Sequence, residues 1–204
     1  MKRLIIAPHV DDDVLGCGGI LDETCHIVYC GLDETGIDNR PSIDERLEEI
    51  HLVQNITNHT FDILDNLVNR YDEYELIGQI EKIINKDKPN EIYVCHPSYN
   101  QDHRTVYNAT MVALRPHDMN HFVNKVFVYE QPHMLFWDNG GVDFKPNHFV
   151  PIDIEKKVKV YECMKSQVRS FRSPEHLRAI GKTRGGQSNC DYAEAFQIIR
   201  WVNG

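Results

Sequence analysis

The chain has 204 residues, 41% of them hydrophobic, with 31 acidic against 22 basic side chains and a formal net charge of −9. A chain of this length is most simply one domain, 1–204, able to bury a large core without disulfides or other staples, and its acidic balance with scattered basic residues argues against a nucleic-acid or membrane-surface binder, because nothing would neutralise phosphates at scale. No stretch approaches the ~18 apolar residues of a membrane span, and the amino terminus runs straight into a short strand with no signal-peptide core, so the expected location is cytoplasmic.

Strand-like runs occur at 2–7, 26–31, 60–64, 91–96 and 125–130, mostly separated by segments of helical periodicity. After the first run, Gly16-Cys17-Gly18-Gly19 does not fit G-x-G-x-x-G, and these glycines read instead as room for the first helix to pack on the sheet. Ser42 and Glu45 form a capping box for a helix at 42–57, whose Leu47, Ile50, Val53 and Ile56 share one face. A helix at 73–86 carries Leu76, Ile77, Ile80, Ile83 and Ile84 and stops near Lys88-Pro89. A third begins at Asp102 with Val106, Ala109, Thr110 and Ala113 on one side, so its first turn holds Asp102 and His103. From 131 to 151 the pattern breaks into a loop with a hairpin turn at 138–147, and helices at 154–168, 173–180 and 192–200 close the chain. The alternation predicts βαβ units: an α/β fold with a mostly parallel sheet and helices on both faces. Six cysteines, at 17, 25, 30, 95, 163 and 190, form no C-x-x-C pair and read as buried free thiols.

Two clusters carry the chemistry. His9-Val10-Asp11-Asp12-Asp13 closes the first apolar run, and Asn100-Gln101-Asp102-His103-Arg104 follows the fourth. Open α/β sheets bind ligands at the carboxyl ends of their strands, so the two clusters can converge on one ion. Catalytic zinc takes three protein ligands and keeps a position for water. His9, Asp12 and His103 supply such a set for one zinc ion per chain, or another divalent transition metal. Asp11, the alternate neighbour, then faces the cleft as a free base for a water acidified by the metal. Asp102, next to His103, is suited to hold an imidazole in orientation.

At these residues the chain resembles the zinc-dependent deacetylases known as PIG-L or LmbE-like, whose members remove N-acetyl groups from amino sugars. The family's His-Pro-Asp-Asp-Glu stands here as His9-Val10-Asp11-Asp12-Asp13 with Gly16-Cys17-Gly18-Gly19 behind it, and its His-x-Asp-His-Arg as Asn100-Gln101-Asp102-His103-Arg104. The resemblance puts the metal ligands on His9, Asp12 and His103 and the general base on Asp11. Arg46-Leu47-Glu48-Glu49 resembles an Arg-x-x-Glu helix whose arginine faces the substrate. Arg184-Gly185 and the segment from Tyr192 to Phe196 resemble the bacillithiol-biosynthesis branch, which makes Tyr192 a second candidate substrate contact. The likeness implies a Rossmann-like three-layer fold, a small-molecule amino-sugar substrate and assembly into a homo-oligomer.

Val10 replaces a proline, Asp13 replaces a glutamate, and Asn100 replaces a histidine that in relatives steadies the oxyanion or acts as an acid. Asparagine can donate a hydrogen bond to an oxyanion but cannot deliver a proton at neutral pH. Asp11 would then carry the proton to the leaving amine alone, or with His96 as a substitute. The remaining histidines, including His133, show no ligand-like spacing. Two rival readings keep the scaffold: a non-catalytic sugar- or nucleotide-binding protein, and a zinc esterase. Loops 33–41 and 131–150 would read the rest of the substrate.

Overall fold

The computed structural model describes residues 3–34, 40–135 and 144–203. Five short strands follow the apolar runs: β1 (Arg3–Ala7), β2 (Cys25–Tyr29), β3 (Thr60–Ile63), β4 (Glu91–Cys95) and β5 (Lys125–Tyr129). In β1, β2 and β4 nearly every residue is buried, as in a parallel sheet covered on both sides, which is why these runs are apolar throughout and do not alternate. β3 is half-exposed because it is an edge.

The helices are α1 (Asp12–Cys17), α2 (Ile43–Thr57), α3 (Glu73–Asp87), α4 (Gln101–Ala113), α5 (Ile154–Glu162) and α6 (Pro174–Ser188). Two further strands, β6 (His148–Pro151) and β7 (Ala193–Trp201), complete a seven-stranded sheet of order β3-β2-β1-β4-β5-β7-β6. The first five strands are parallel, and β7 runs antiparallel to both β5 and β6. The winding moves outward from β1 to β3, then returns across the sheet to β4. Right-handed crossovers then send α1 and α2 to one face and α3 and α4 to the other. In agreement, α3 packs on α4, while α1, α2 and α6 pack on α5. The direction reverses between β1 and β4, and the two chemical clusters leave the sheet at the carboxyl ends of those two strands. No helix among the described residues is long and apolar enough to cross a membrane.

The capping box at Ser42 and Glu45 forms as read, with Glu45 N donating to Ser42 Oγ and Ser42 N to Glu45 Oε2. Gly16 has the close-packing role assigned to the glycine cluster. A Cβ there would lie 2.2 Å from the ring of Tyr129, which is fully buried and pinned by its hydroxyl to Ile6 O at 2.9 Å. Gly16→Ala is therefore expected to destabilise the protein by about 1–3 kcal/mol through overpacking, although alanine is the better helix former by up to ~1 kcal/mol. Urea unfolding measures this, and a variant as stable as the parent would refute the steric account.

Five expectations need correction. The segment 192–200 is the strand β7 rather than a helix: Ala193, Glu194 and Ala195 are good helix formers, but the slot between β5 and β6 wins, helped by Ile198, Ile199 and Trp201. The helix expected at 154–168 ends at Glu162 and gives way to a 3-10 turn at Lys165–Gln167. The helix expected at 173–180 runs on to Ser188; a Cβ on Gly185 would meet Asp191 O at 2.5 Å, so the glycine lets the chain fold back tightly after the helix. The segment read as loop contains β6 and a 3-10 turn at Pro132–Leu135, while most of the hairpin turn expected at 138–147 lies outside the described residues. All six cysteines are free, but only Cys17, Cys25, Cys30 and Cys95 are buried; Cys163 and Cys190 are half-exposed.

A fixed charge pair ties the two ends of the fold together. Lys157 Nζ on α5 lies 2.6 Å from Glu194 Oε1 on β7 and donates to Leu15 O at 2.7 Å, while the same Glu194 oxygen accepts from Gly19 N at 2.8 Å. Both charged side chains are buried; Lys157 is held by Glu194 and Leu15 O, and Glu194 Oε1 by Lys157 and Gly19 N, while Glu194 Oε2 has no partner among the described residues.

Candidate metal centre

The site begins where β1 stops. His9 O accepts from Asp11 N at 3.0 Å and from Asp12 N at 3.4 Å, a tight turn that leads into α1, and Tyr71 steadies it by donating its hydroxyl to Pro8 O at 2.6 Å. Asp12 Oδ2 accepts from His9 N at 3.0 Å and lies 3.2 Å from His9 Nδ1. From the other strand end, His103 on the first turn of α4 brings Nε2 to 3.3 Å from that oxygen. One ligand atom from each of His9, Asp12 and His103 lies within 4.8 Å of the others. The structure thus brings His103 to His9 and Asp12 across more than ninety positions of chain.

Two imidazole nitrogens and a carboxylate oxygen are the donor set of a catalytic zinc site with room for further ligands. The electrostatics also fit a cation. Burial pulls the His9 pKa down, yet its hydrogen bonds with Asp102 and Asp12 outweigh that and raise it to about 10. Burial works against ionisation of Asp12, but His103 and His9 hold its carboxyl well below the usual range. Burial, with Asp11 and Asp12 beside it, pushes Asp13 up to about 7 in spite of the hydrogen bond donated by Tyr29 at 2.9 Å. The same concentration of negative charge would attract a divalent cation.

Asp102 orients an imidazole, but not the one beside it in sequence. Its Oδ2 accepts from His9 Nε2 at 2.9 Å and from Asn69 N at 2.8 Å, so it fixes the imidazole that comes from the other strand. His103 is held through Nδ1 by Ser98 Oγ at 3.1 Å. Asn100 is the N-cap of α4: its Oδ1 accepts from Asp102 N at 2.8 Å. The sequence contained this signal, because Asn just before a helical segment is a preferred cap.

Beside the cluster lies a cavity of about 270 Å³, whose lining includes His9, Asp11, Asp12, Asn100 and His103. Asp11 is buried in this wall and is not free, since Arg172 Nη1 sits 2.7 Å from its Oδ2. Arg172 is held in turn by Gln167 Oε1 at 3.1 Å. Arg46 also lines the cavity, paired with Glu34 at 2.9 Å and reaching Ser166 Oγ at 3.3 Å. Glu49, the acid of the Arg-x-x-Glu pattern, accepts from Ser166 N and Oγ at 2.6 and 2.7 Å, so this pair clamps the chain after α5 to α2. Tyr192 is not among the lining residues; its ring lies 5.1 Å below the Lys182 ammonium. His96 is buried against Phe144, 5.6 Å between rings, and does not line the cavity either.

Arg172 and His133 are among the lining residues that sequence reasoning missed. Arg172 comes from an irregular segment far from either motif and offered no spacing to read. His133 stands on the 3-10 turn just past β5, its ring 5.6 Å from that of His103 and 5.0 Å from Tyr99. Its signal was weak but present: it follows the carboxyl end of a predicted parallel strand.

Residues 4–114 match the model of the family described as PIG-L, GlcNAc-PI de-N-acetylase. No match was found among curated proteins. Among solved structures, the chain is similar to the conserved protein TT1542 from Thermus thermophilus, at 20% identity and a TM-score of 0.81, covering 100% of this chain and 97% of that one. It is similar to the N,N'-diacetylchitobiose deacetylase from Pyrococcus horikoshii, at 19% identity and a TM-score of 0.80, with 98% and 84% covered. It is also similar to GalB, the 4-carboxy-2-hydroxymuconate hydratase from Pseudomonas putida, at 20% identity and a TM-score of 0.75, with 100% and 99% covered. At these identities the likeness shows the fold alone, and the fold hosts more than one reaction.

Proposed function

Since the chain belongs to the PIG-L family, we propose that it is a single-domain, zinc-dependent hydrolase that removes the acetyl group from an N-acetylated amino sugar of the N-acetylglucosamine type. The observation that carries this reading is the meeting of His9, Asp12 and His103 around one point, with Asp11 on the wall of the same cavity. His9, Asp12 and His103 would hold the cation, which when bound polarises the acetamide carbonyl and acidifies water.

The chain's own residues supply the rest. Asp11 accepts the proton of the attacking water, and the Arg172 guanidinium at 2.7 Å keeps its carboxylate turned into the site. The water oxygen bonds to the carbonyl carbon. Asp11 then returns the proton to the amide nitrogen, the carbon–nitrogen bond breaks, and acetic acid and the free amine leave, the acid giving its proton to solvent as acetate. Asp102 fixes the ring of His9 throughout. The oxygen of Asn100 is committed to its cap, while its amide nitrogen, with no hydrogen-bond partner among the described residues, can donate to the carbonyl oxygen. Of the arginines that line the cavity, Arg40 and Arg46 face Glu34 and Arg172 faces Asp11, which leaves Arg169 to favour a sugar carrying an anionic substituent.

The test is a mass-spectrometric screen of zinc-loaded protein against neutral and anionic N-acetylated glycosides and matched acetyl esters. Loss of acetyl from the acetamides, with about one equivalent of metal in protein purified without added zinc, is expected. Metal below about a tenth of an equivalent with no acetyl lost would favour the non-catalytic binder, and turnover of esters alone would favour the esterase.

A further inference from the structure

We propose that His133 is a further catalytic residue, donating its Nδ1–H to the acetamide oxygen as negative charge builds there; this rests on the deacetylase reading above. Three imidazoles line the cavity. Two are fully committed: His9 engages Asp12 and Asp102, and His103 engages Asp12 and Ser98. His133, by contrast, makes no hydrogen bond among the described residues, and its Nε2 is buried without a partner there.

The position of the ring is set from three sides. Its centroid stands 5.6 Å from that of His103 and 5.0 Å from the Tyr99 ring, the latter in an edge-on contact. The chain just before it is tied to the acidic motif, because Gln131 Nε2 donates to Asp12 O at 3.2 Å. A substrate seated against His103 and Asp12 is therefore within reach of His133.

The occluded nitrogen settles which atom the cavity meets. A neutral imidazole has one N–H to place. Burying an N–H with no acceptor costs its full desolvation, whereas an unpaired lone pair is the better-tolerated orphan. Nε2 is thus the bare nitrogen and Nδ1 carries the proton. Nδ1 is the nitrogen left accessible, so the site is presented with a neutral donor. A donor fixed before the reaction begins is the arrangement that stabilises a developing oxyanion without reorganisation.

Two measurements test this. Long-range ¹H–¹⁵N spectra of the zinc-loaded protein, with the His133 signals assigned by their loss in His133→Phe, should show the proton on Nδ1; a proton on Nε2 overturns the proposal. In kinetics, His133→Phe keeps a flat ring without the donor and should lower kcat by about 10²–10³-fold, the usual loss for one oxyanion donor. KM and zinc content should stay near wild type, and His133→Asn should recover at least about tenfold of the loss because it restores an N–H. A kcat for His133→Phe close to wild type overturns the proposal. If the wild-type protein deacetylates no acetamide, the deacetylase reading falls, and the spectra still decide whether His133 offers the cavity a donor.

Discussion

Asp12→Asn is expected to empty the metal centre and abolish turnover. The substitution is nearly isosteric, and an amide oxygen can still accept from His9 N, where Asp12 now accepts at 3.0 Å, so the turn into α1 should persist. What disappears is the negative charge at the point where His9 Nδ1 and His103 Nε2 meet. Losing a partner one step removed from a metal costs about 10–100-fold in affinity, and losing a ligand's charge should cost more. Metal analysis after dialysis, alongside acetate release, checks this. Stoichiometric zinc in the variant would show that the three residues do not form the site.

Asp11→Asn should have the opposite pattern: zinc kept, turnover lost by about 10²–10⁴-fold, the usual contribution of a general base. The pair of variants separates holding the ion from using it. Asp11 has a second job that complicates a simple deletion, since removing its charge leaves the Arg172 guanidinium without its ion-pair partner. Arg172→Gln serves as the control. If Arg172 only positions Asp11, its loss should lower kcat by a smaller factor than Asp11→Asn and leave zinc content alone. Undiminished turnover in zinc-loaded Asp11→Asn would remove Asp11 from the mechanism.

The parallel half of the sheet was legible because buried parallel strands are continuous apolar runs, and the candidate metal ligands were legible because they lie at the ends of two such runs. The antiparallel half was not. Ala193-Glu194-Ala195 is helical by local propensity, and only the open place between β5 and β6 makes it a strand. The spacing shows that Asp102 can hold an imidazole, but not which one. Adjacent residues on a helix do not face each other, so Asp102 could not have turned to the ring of His103; it reaches across to His9 instead. Arg172 and His133 join the site only through tertiary packing, with no motif around them to mark their place.

The charge pair between Lys157 and Glu194 has a consequence for the order of folding. Glu194 anchors Gly19, just past the helix that grows out of the acidic pentapeptide, across 175 positions of chain. The turn after α1 is therefore fastened only once β7 has found its place beside β5, and contacts this distant in sequence are slow to form.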